Sequence, residues 1–134
     1  MTLYVDSSAL IKRYVDETDS DAAEAILLGD SEWVTARITL VEVRLALQRR
    51  LDERGLRAAV TAFERDWQRT LIVAIDDITC RLAAELGTVT GARSLDAVHL
   101  AAAERAGGRS LAFVTFDMRL GHAARSLGFS VVGV

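Results

Sequence analysis

Apolar and polar positions alternate along this chain between two rhythms: short runs rich in β-branched and aromatic residues, and longer stretches at helical spacing. Residues 2–5 (Thr-Leu-Tyr-Val) read as a first strand that ends at Asp6, after which Ser7 caps a helix carrying Ala9, Leu10, Arg13 and Tyr14. Residues 20–28 predict a second helix closed by Gly29, and residues 32–36, with Trp33 and Val34, a second short strand. Residues 38–53 predict a long helix with Ile38, Val41 and Leu45 recurring at helical spacing. Gly55 separates it from a helix at 56–69 that brings Val60, Phe63 and Trp67 to one side. The apolar run 71–75 is the pattern of a parallel strand buried on both faces. Helices at 77–89 and 95–106, the second ended by Gly107 and Gly108, precede a buried strand at 111–116, a helix at 118–127 and a last strand at 130–134. Five strands and about seven helices in alternation predict an α/β fold around a parallel sheet.

Length and composition narrow the class. The 134 residues suit one domain, spanning 1–134, and a hydrophobic fraction of 51% excludes intrinsic disorder. There is no apolar run of membrane-spanning length and no charged-then-apolar leader, so no membrane association is expected. The single cysteine, Cys80, has no partner for an internal disulfide, and a cytoplasmic protein follows as the default. A net charge of −3 argues against a broad electrostatic footprint for nucleic acid. Of the 16 basic residues 15 are arginine, with Lys12 the only lysine. Arginine suits bidentate phosphate contacts, but a compositional bias of the source genome explains the excess equally well.

Four carboxylates stand out by position. Asp6 and Asp117 each follow a strand and open a helix, at the edge where open parallel sheets bind ligands, and each is also an ordinary helix cap or first-turn acid. Asp96 lies two residues after Ser94, a candidate N-cap, with Arg93 near enough in sequence to pair with it. Glu42 is harder to explain locally. Its helical neighbours three and four residues away are Ile38, Thr39, Leu45 and Ala46, so no cation on its own helix offsets its charge. It either faces solvent or is a buried acid that needs a raised pKa or a metal. Carboxylates crowded at one sheet edge repel one another unless a cation neutralises them, and oxygen ligands without clustered His or Cys suit Mg²⁺ or Mn²⁺. Metal-dependent phosphodiester hydrolysis is the chemistry of such a set.

The segments Tyr-Val-Asp-Ser-Ser-Ala-Leu-Ile-Lys at 4–12, Thr-Leu-Val-Glu-Val around Glu42, Ser-Leu-Asp-Ala-Val-His-Leu-Ala at 94–101 and Val-Thr-Phe-Asp at 114–117 occur in an informative order and spacing. Through them the chain resembles the PIN domains, specifically the VapC ribonuclease toxins of toxin–antitoxin pairs, over essentially its whole length. The resemblance implies a single PIN-like domain with a five-stranded parallel sheet between helices. It implies that Asp6, Glu42, Asp96 and Asp117 form an acidic quartet for Mg²⁺ or Mn²⁺, with Asp117 the least uniformly required. Thr115 matches an assisting hydroxyl, and Ser7 the usual follower of the first Asp. Implied too are cleavage of RNA, often structured RNA such as tRNA, to 5′-phosphate and 3′-hydroxyl ends, a homodimer, and a VapB-like antitoxin clamped by the helices 38–53 and 56–69.

Other assignments fare less well. An aspartate-nucleophile phosphatase wants a second Asp at position 8, which is Ser, and Val5-Asp6-Ser7-Ser8 lacks the glycines of a nucleotide-binding turn. The rival from a different class is a PIN-like module that binds RNA or protein without cutting, and the presence of all four acids weighs against it. His99, three residues after Asp96, is either that acid's support or a satisfied core residue, with the second favoured. His122 is expected on the surface, and Trp33 and Trp67 in the core or at a partner contact. Arg13, Arg37, Arg44, Arg93 and Arg119 are candidate phosphate contacts.

Overall fold

The computed structural model describes residues 1–30 and 32–134. Its elements follow the chain as β1 (Leu3–Val5), α1 (Ser7–Tyr14), α2 (Ser20–Leu28), β2 (Trp33–Ala36), α3 (Ile38–Arg50), α4 (Glu53–Gln68), β3 (Leu71–Val73), α5 (Asp77–Thr90), α6 (Ser94–Ala106), β4 (Ala112–Thr115), α7 (Met118–Ser126) and β5 (Ser130–Gly133). The five strands are all parallel, in the order β3-β2-β1-β4-β5, with Tyr4 of β1 registered against Val34 and Phe113. The α/β architecture expected from the alternating pattern is therefore present. Among the described residues no helix is long and apolar enough to cross a membrane.

The pleat divides the core. Tyr4, Val34 and Phe113 point to the layer formed by α6 and α7, while Leu3, Val5, Ala112 and Val114 point to the layer of α1 to α4. A third cluster, Ala83 with Ala97 and Ala101, fastens α5 to the outside of α6. β4 is buried at all four residues, as a central parallel strand should be.

Local expectations are corrected at several ends. Asp6, not Ser7, caps α1, its side chain accepting from the Ala9 amide. Ser94 is the first residue of α6, not its cap, and the cap position belongs to Arg93, which makes no side-chain cap bond. Gly55 lies inside the first turn of α4, its amide donating to the capping Asp52 carboxylate, so α4 starts at Glu53 and α3 stops at Arg50. The run 71–75 yields only a three-residue strand at the sheet edge, with Leu71 58% exposed. An edge strand has a neighbour on one side only and is covered less than a central one.

The inward face of α3 also differs from the expected one. Thr39, Val43 and Leu47 are buried, whereas Val41 and Leu45 are 47% and 48% exposed. Apolar residues run nearly all round this helix, so spacing cannot select a face. A threonine can turn inward because its hydroxyl is satisfied: Thr39 Oγ1 lies 2.8 Å from Thr35 Oγ1, and Thr35 donates to the Val5 carbonyl at 2.5 Å. This pair ties β2 and α3 to the end of β1. Thr35→Val is expected to lower stability by about 1–3 kcal/mol by orphaning buried polar groups. Urea denaturation checks this, and an unchanged midpoint would remove the pair from the account.

Candidate active site at the carboxyl edge of the sheet

From β1 the chain builds outward through β2 to β3, then returns to place β4 on the other side of β1. Ligand sites in open parallel sheets lie at such a reversal, outside the carboxyl ends of the strands. Asp6 follows β1 and Asp117 follows β4 at this point. Asp6 is only 2% exposed. Its Oδ1 accepts from the Ala9 amide at 3.0 Å and the Ser8 hydroxyl at 2.7 Å, and its Oδ2 accepts from Thr115 at 2.5 Å. Burial raises the Asp6 pKa, opposed by the charge of His99 and by these hydrogen bonds.

Thr115 serves both strand ends, accepting from the Asp117 amide at 3.0 Å while donating to Asp6. Asp117 is exposed and caps α7, its Oδ1 accepting from the Arg119 and Leu120 amides at 2.9 and 3.1 Å. Ser8 closes the loop by accepting from the Phe116 amide at 2.9 Å. Ser7, by contrast, makes no side-chain hydrogen bond to these acids among the described residues. Ser8 was missed in the sequence because a second serine after a strand-ending Asp carries no local signal separating it from the first.

Glu42 reaches the same edge from α3. It is half-buried and finds its counter-group on another helix, its Oε1 lying 2.7 Å from His99 Nε2. Burial alone would lower the His99 pKa, but the Glu42 hydrogen bond and the charges of Glu42, Asp6 and Asp96 outweigh it, and the net shift is upward. His99 thus supports Glu42 and not Asp96, and it is also the satisfied core residue expected. Asp96, half-buried in the first turn of α6, has a raised pKa from burial and from the charges of Asp117 and Glu42, offset in part by His99 and Arg93. These mutual influences put all four acids and His99 in one electrostatic neighbourhood.

A divalent cation suits this donor set in kind. The ligands on offer are hard carboxylate oxygens, Asp6 Oδ2 keeps a lone pair beyond its bond to Thr115, and the repulsion felt at Asp96 is what a cation reverses. As the side chains stand, no three Asp, Glu, His or Cys groups among the described residues are close enough to hold an ion. A cleft of about 530 Å³ opens beside Asp96, lined by Arg93, Met118, Arg119 and His122.

Arg13, Arg44, Trp33 and Trp67 are engaged with partners other than the four acids. Arg13 pairs with Asp66 and Glu24 at 2.8 Å, and Arg44 with Glu64 at 3.1 Å, so both hold helices together. Trp33 is partly buried beneath the Arg13 guanidinium, 5.3 Å from the ring centre, and donates to the Leu27 and Asp30 carbonyls at 3.1 Å. Trp67 packs on Phe63 with ring centres 5.6 Å apart. Arg37 and His122 are exposed.

Comparison with known proteins bears on the family and the fold. A family model described as PIN domain matches residues 3–126. The chain is 37% identical over 134 residues to Ribonuclease VapC35 of Mycobacterium tuberculosis (strain ATCC 25618 / H37Rv), covering 97% of this chain and 95% of the relative. Ribonuclease VapC46 of the same strain is 34% identical over 130 residues, with 97% and 95% covered. Among solved structures, Mycobacterium tuberculosis VapC20, a Sarcin-Ricin loop cleaving toxin, superposes with a TM-score of 0.75 at 20% identity, covering 98% of each chain. DNA-bound VapBC from Salmonella typhimurium superposes with a TM-score of 0.71 at 15% identity, covering 98% of this chain and 97% of the other.

Proposed function

The chain belongs to the PIN-domain family, and on that premise we propose that residues 1–134 act as one divalent-metal-dependent endoribonuclease, the toxin component of a toxin–antitoxin pair. What supports this reading is that Asp6 and Asp117 follow adjacent parallel strands, with Asp96 near enough to Asp117 and Glu42 to feel their charges. The ribonuclease names of the relatives support the reaction class, and toxin–antitoxin complexes among the structural neighbours support a VapB-like antitoxin as partner. The exposed Val41 and Leu45 on α3 favour that helix, with α4, as the antitoxin's seat. A homodimer acting in the cytoplasm on structured RNA such as tRNA completes the proposal.

In this reading Asp6, Asp96, Glu42 and Asp117 hold Mg²⁺ or Mn²⁺. When bound, such an ion would supply activation of water for attack on phosphorus and neutralisation of charge on the phosphoryl oxygens. The protein does the rest by placement. Ser8, Thr115 and the Ala9 amide lock the Asp6 carboxylate in one orientation, and a buried acid so held loses little freedom when it takes up a ligand. Arg93 and Arg119 line the cleft beside Asp96, where guanidinium groups suit the phosphates flanking the scissile bond.

Glu42→Gln tests the reading at its least expected ligand. The amide is nearly isosteric but removes a charged oxygen from the site. Single-turnover cleavage of total tRNA is expected to fall by about a hundredfold, in line with the loss of one preorganised electrostatic group. Circular dichroism serves as the folding control. A well-folded variant that cuts at the wild-type rate takes Glu42 out of the site.

A further inference from the structure

Behind the acids lies a buried chain of hydrogen bonds that crosses from one layer of the fold to the other. The Tyr4 hydroxyl lies 2.8 Å from His99 Nδ1, and His99 Nε2 lies 2.7 Å from Glu42 Oε1. Tyr4 is 0% exposed and His99 1%, so neither touches substrate and neither polar end can fall back on water. A carboxylate only accepts, so Nε2 carries the hydrogen of the bond to Glu42 whatever the state of Nδ1. One Glu42 oxygen is thereby held and the other left open. Among the described residues this is the only hydrogen bond Glu42 makes.

The placement of the three residues suggests more than a satisfied core histidine. His99 follows Asp96 by three positions on α6, which sets both on one side of that helix. Tyr4 on β1 precedes Asp6 by two, and Asp6 continues the extended backbone just past the strand (φ −82°, ψ 175°), so the alternation sets both on one face. The elements that carry Asp96 and Asp6 therefore also carry the two groups that restrain Glu42, an acid arriving from α3 on the opposite side of the sheet.

We propose that His99 is a positioning residue for the metal site: anchored by Tyr4, it holds Glu42 at the carboxyl edge beside Asp96 and so sets the affinity for the divalent ion. This inference rests on the metal-dependent reading above. The restraint also explains why the bond spans helices. A free glutamate side chain samples many rotamers, and fixing it in advance removes that entropy from the cost of binding the cation.

Two isosteric probes separate the halves of the relay. A glutamine amide at position 99 reaches about as far as Nε2 and keeps a donor for Glu42. An asparagine amide reaches about as far as Nδ1 and keeps only the Tyr4 side. Binding of Mn²⁺ alone is measured by calorimetric titration on the full chain, with melting in chelator as the folding control. His99→Asn is expected to weaken Mn²⁺ binding by about 10–100-fold, the usual effect of losing the partner of a metal ligand, and His99→Gln to restore most of it. In a Glu42→Gln background His99→Asn should cost nothing further. Tyr4→Phe, which keeps the ring packing, should weaken binding in the same direction by less, and it carries the test if His99→Asn does not fold. Equal losses in the Asn and Gln variants, wild-type binding in His99→Asn or Tyr4→Phe, or an added loss in the Glu42→Gln background would each overturn the proposal. A wild type that binds Mn²⁺ but cuts no RNA counts against the ribonuclease reading alone, and one that binds no Mn²⁺ overturns both.

Discussion

Asp6→Asn is expected to reduce RNA cleavage by at least about a thousandfold, since it removes charge from the proposed metal site, whose ion would supply several kcal/mol of transition-state stabilisation. The fold should survive. Asparagine keeps an oxygen to cap α1 through the Ala9 amide and the Ser8 hydroxyl, and Thr115 can reverse its role and accept from the new amide. In cells the consequence is binary: wild type expressed without an antitoxin should arrest growth, and Asp6→Asn at the same soluble level should not. Equal growth of the two strains would count against the toxin assignment while leaving metal binding to be judged by calorimetry.

The second large effect is thermodynamic. Metal that binds only the folded state stabilises it by RT ln(1 + [L]/Kd), about 2.7 kcal/mol at a hundredfold excess over Kd. Wild type should therefore melt several degrees higher with Mg²⁺ or Mn²⁺ than with chelator, and more at equal concentration with Mn²⁺. Asp96→Asn should melt higher than wild type in chelator, because burial and the charges of Asp117 and Glu42 all oppose ionisation of Asp96. It should also lose most of the metal-dependent increment, because a ligand is gone. The pH profile follows from the same shifts. Asp6 and Asp96 have raised folded-state pKa values, so each holds its proton more tightly folded than unfolded. The stability they lend is full below the ordinary carboxylate range, about pH 4, and is lost as pH rises through the raised values. In chelator the melting temperature should carry this decline, and saturating Mn²⁺ should offset it. A wild-type melting temperature indifferent to chelator, Mg²⁺ and Mn²⁺ alike would mean that the acids do not act as one cation site.

Much of this was legible in the residue pattern. Strand and helix order followed from periodicity alone, and Asp6 and Asp117 could be put at strand ends because each directly follows an apolar run. What the pattern hid were choices made by distant neighbours. α3 is apolar on several sides, so only its contact with Thr35 and the sheet reveals that Thr39, Val43 and Leu47 face inward. His99 has Asp96 as its natural local companion, yet its partners are Tyr4 and Glu42, 95 and 57 residues away. Ser8 outranks Ser7 for the same reason, since the group that distinguishes it is the Phe116 amide beyond β4. Long-range hydrogen bonds of this kind leave no trace in spacing.

The two tryptophans have an optical consequence. Trp33 opens β2, and Trp67 ends in the last turn of α4 just before β3, so both lie at the amino edge of a sheet whose acids line the carboxyl edge. Both indoles also sit in defined surroundings, one beneath a guanidinium and the other against Phe63. Their emission therefore reports on one end of the molecule only. It follows unfolding, and any protein that docks along α4, while chemistry at the opposite edge proceeds out of its view. Intrinsic fluorescence can thus time the arrival of a partner and catalysis can be followed on labelled RNA, in one cuvette and without a dye on the protein.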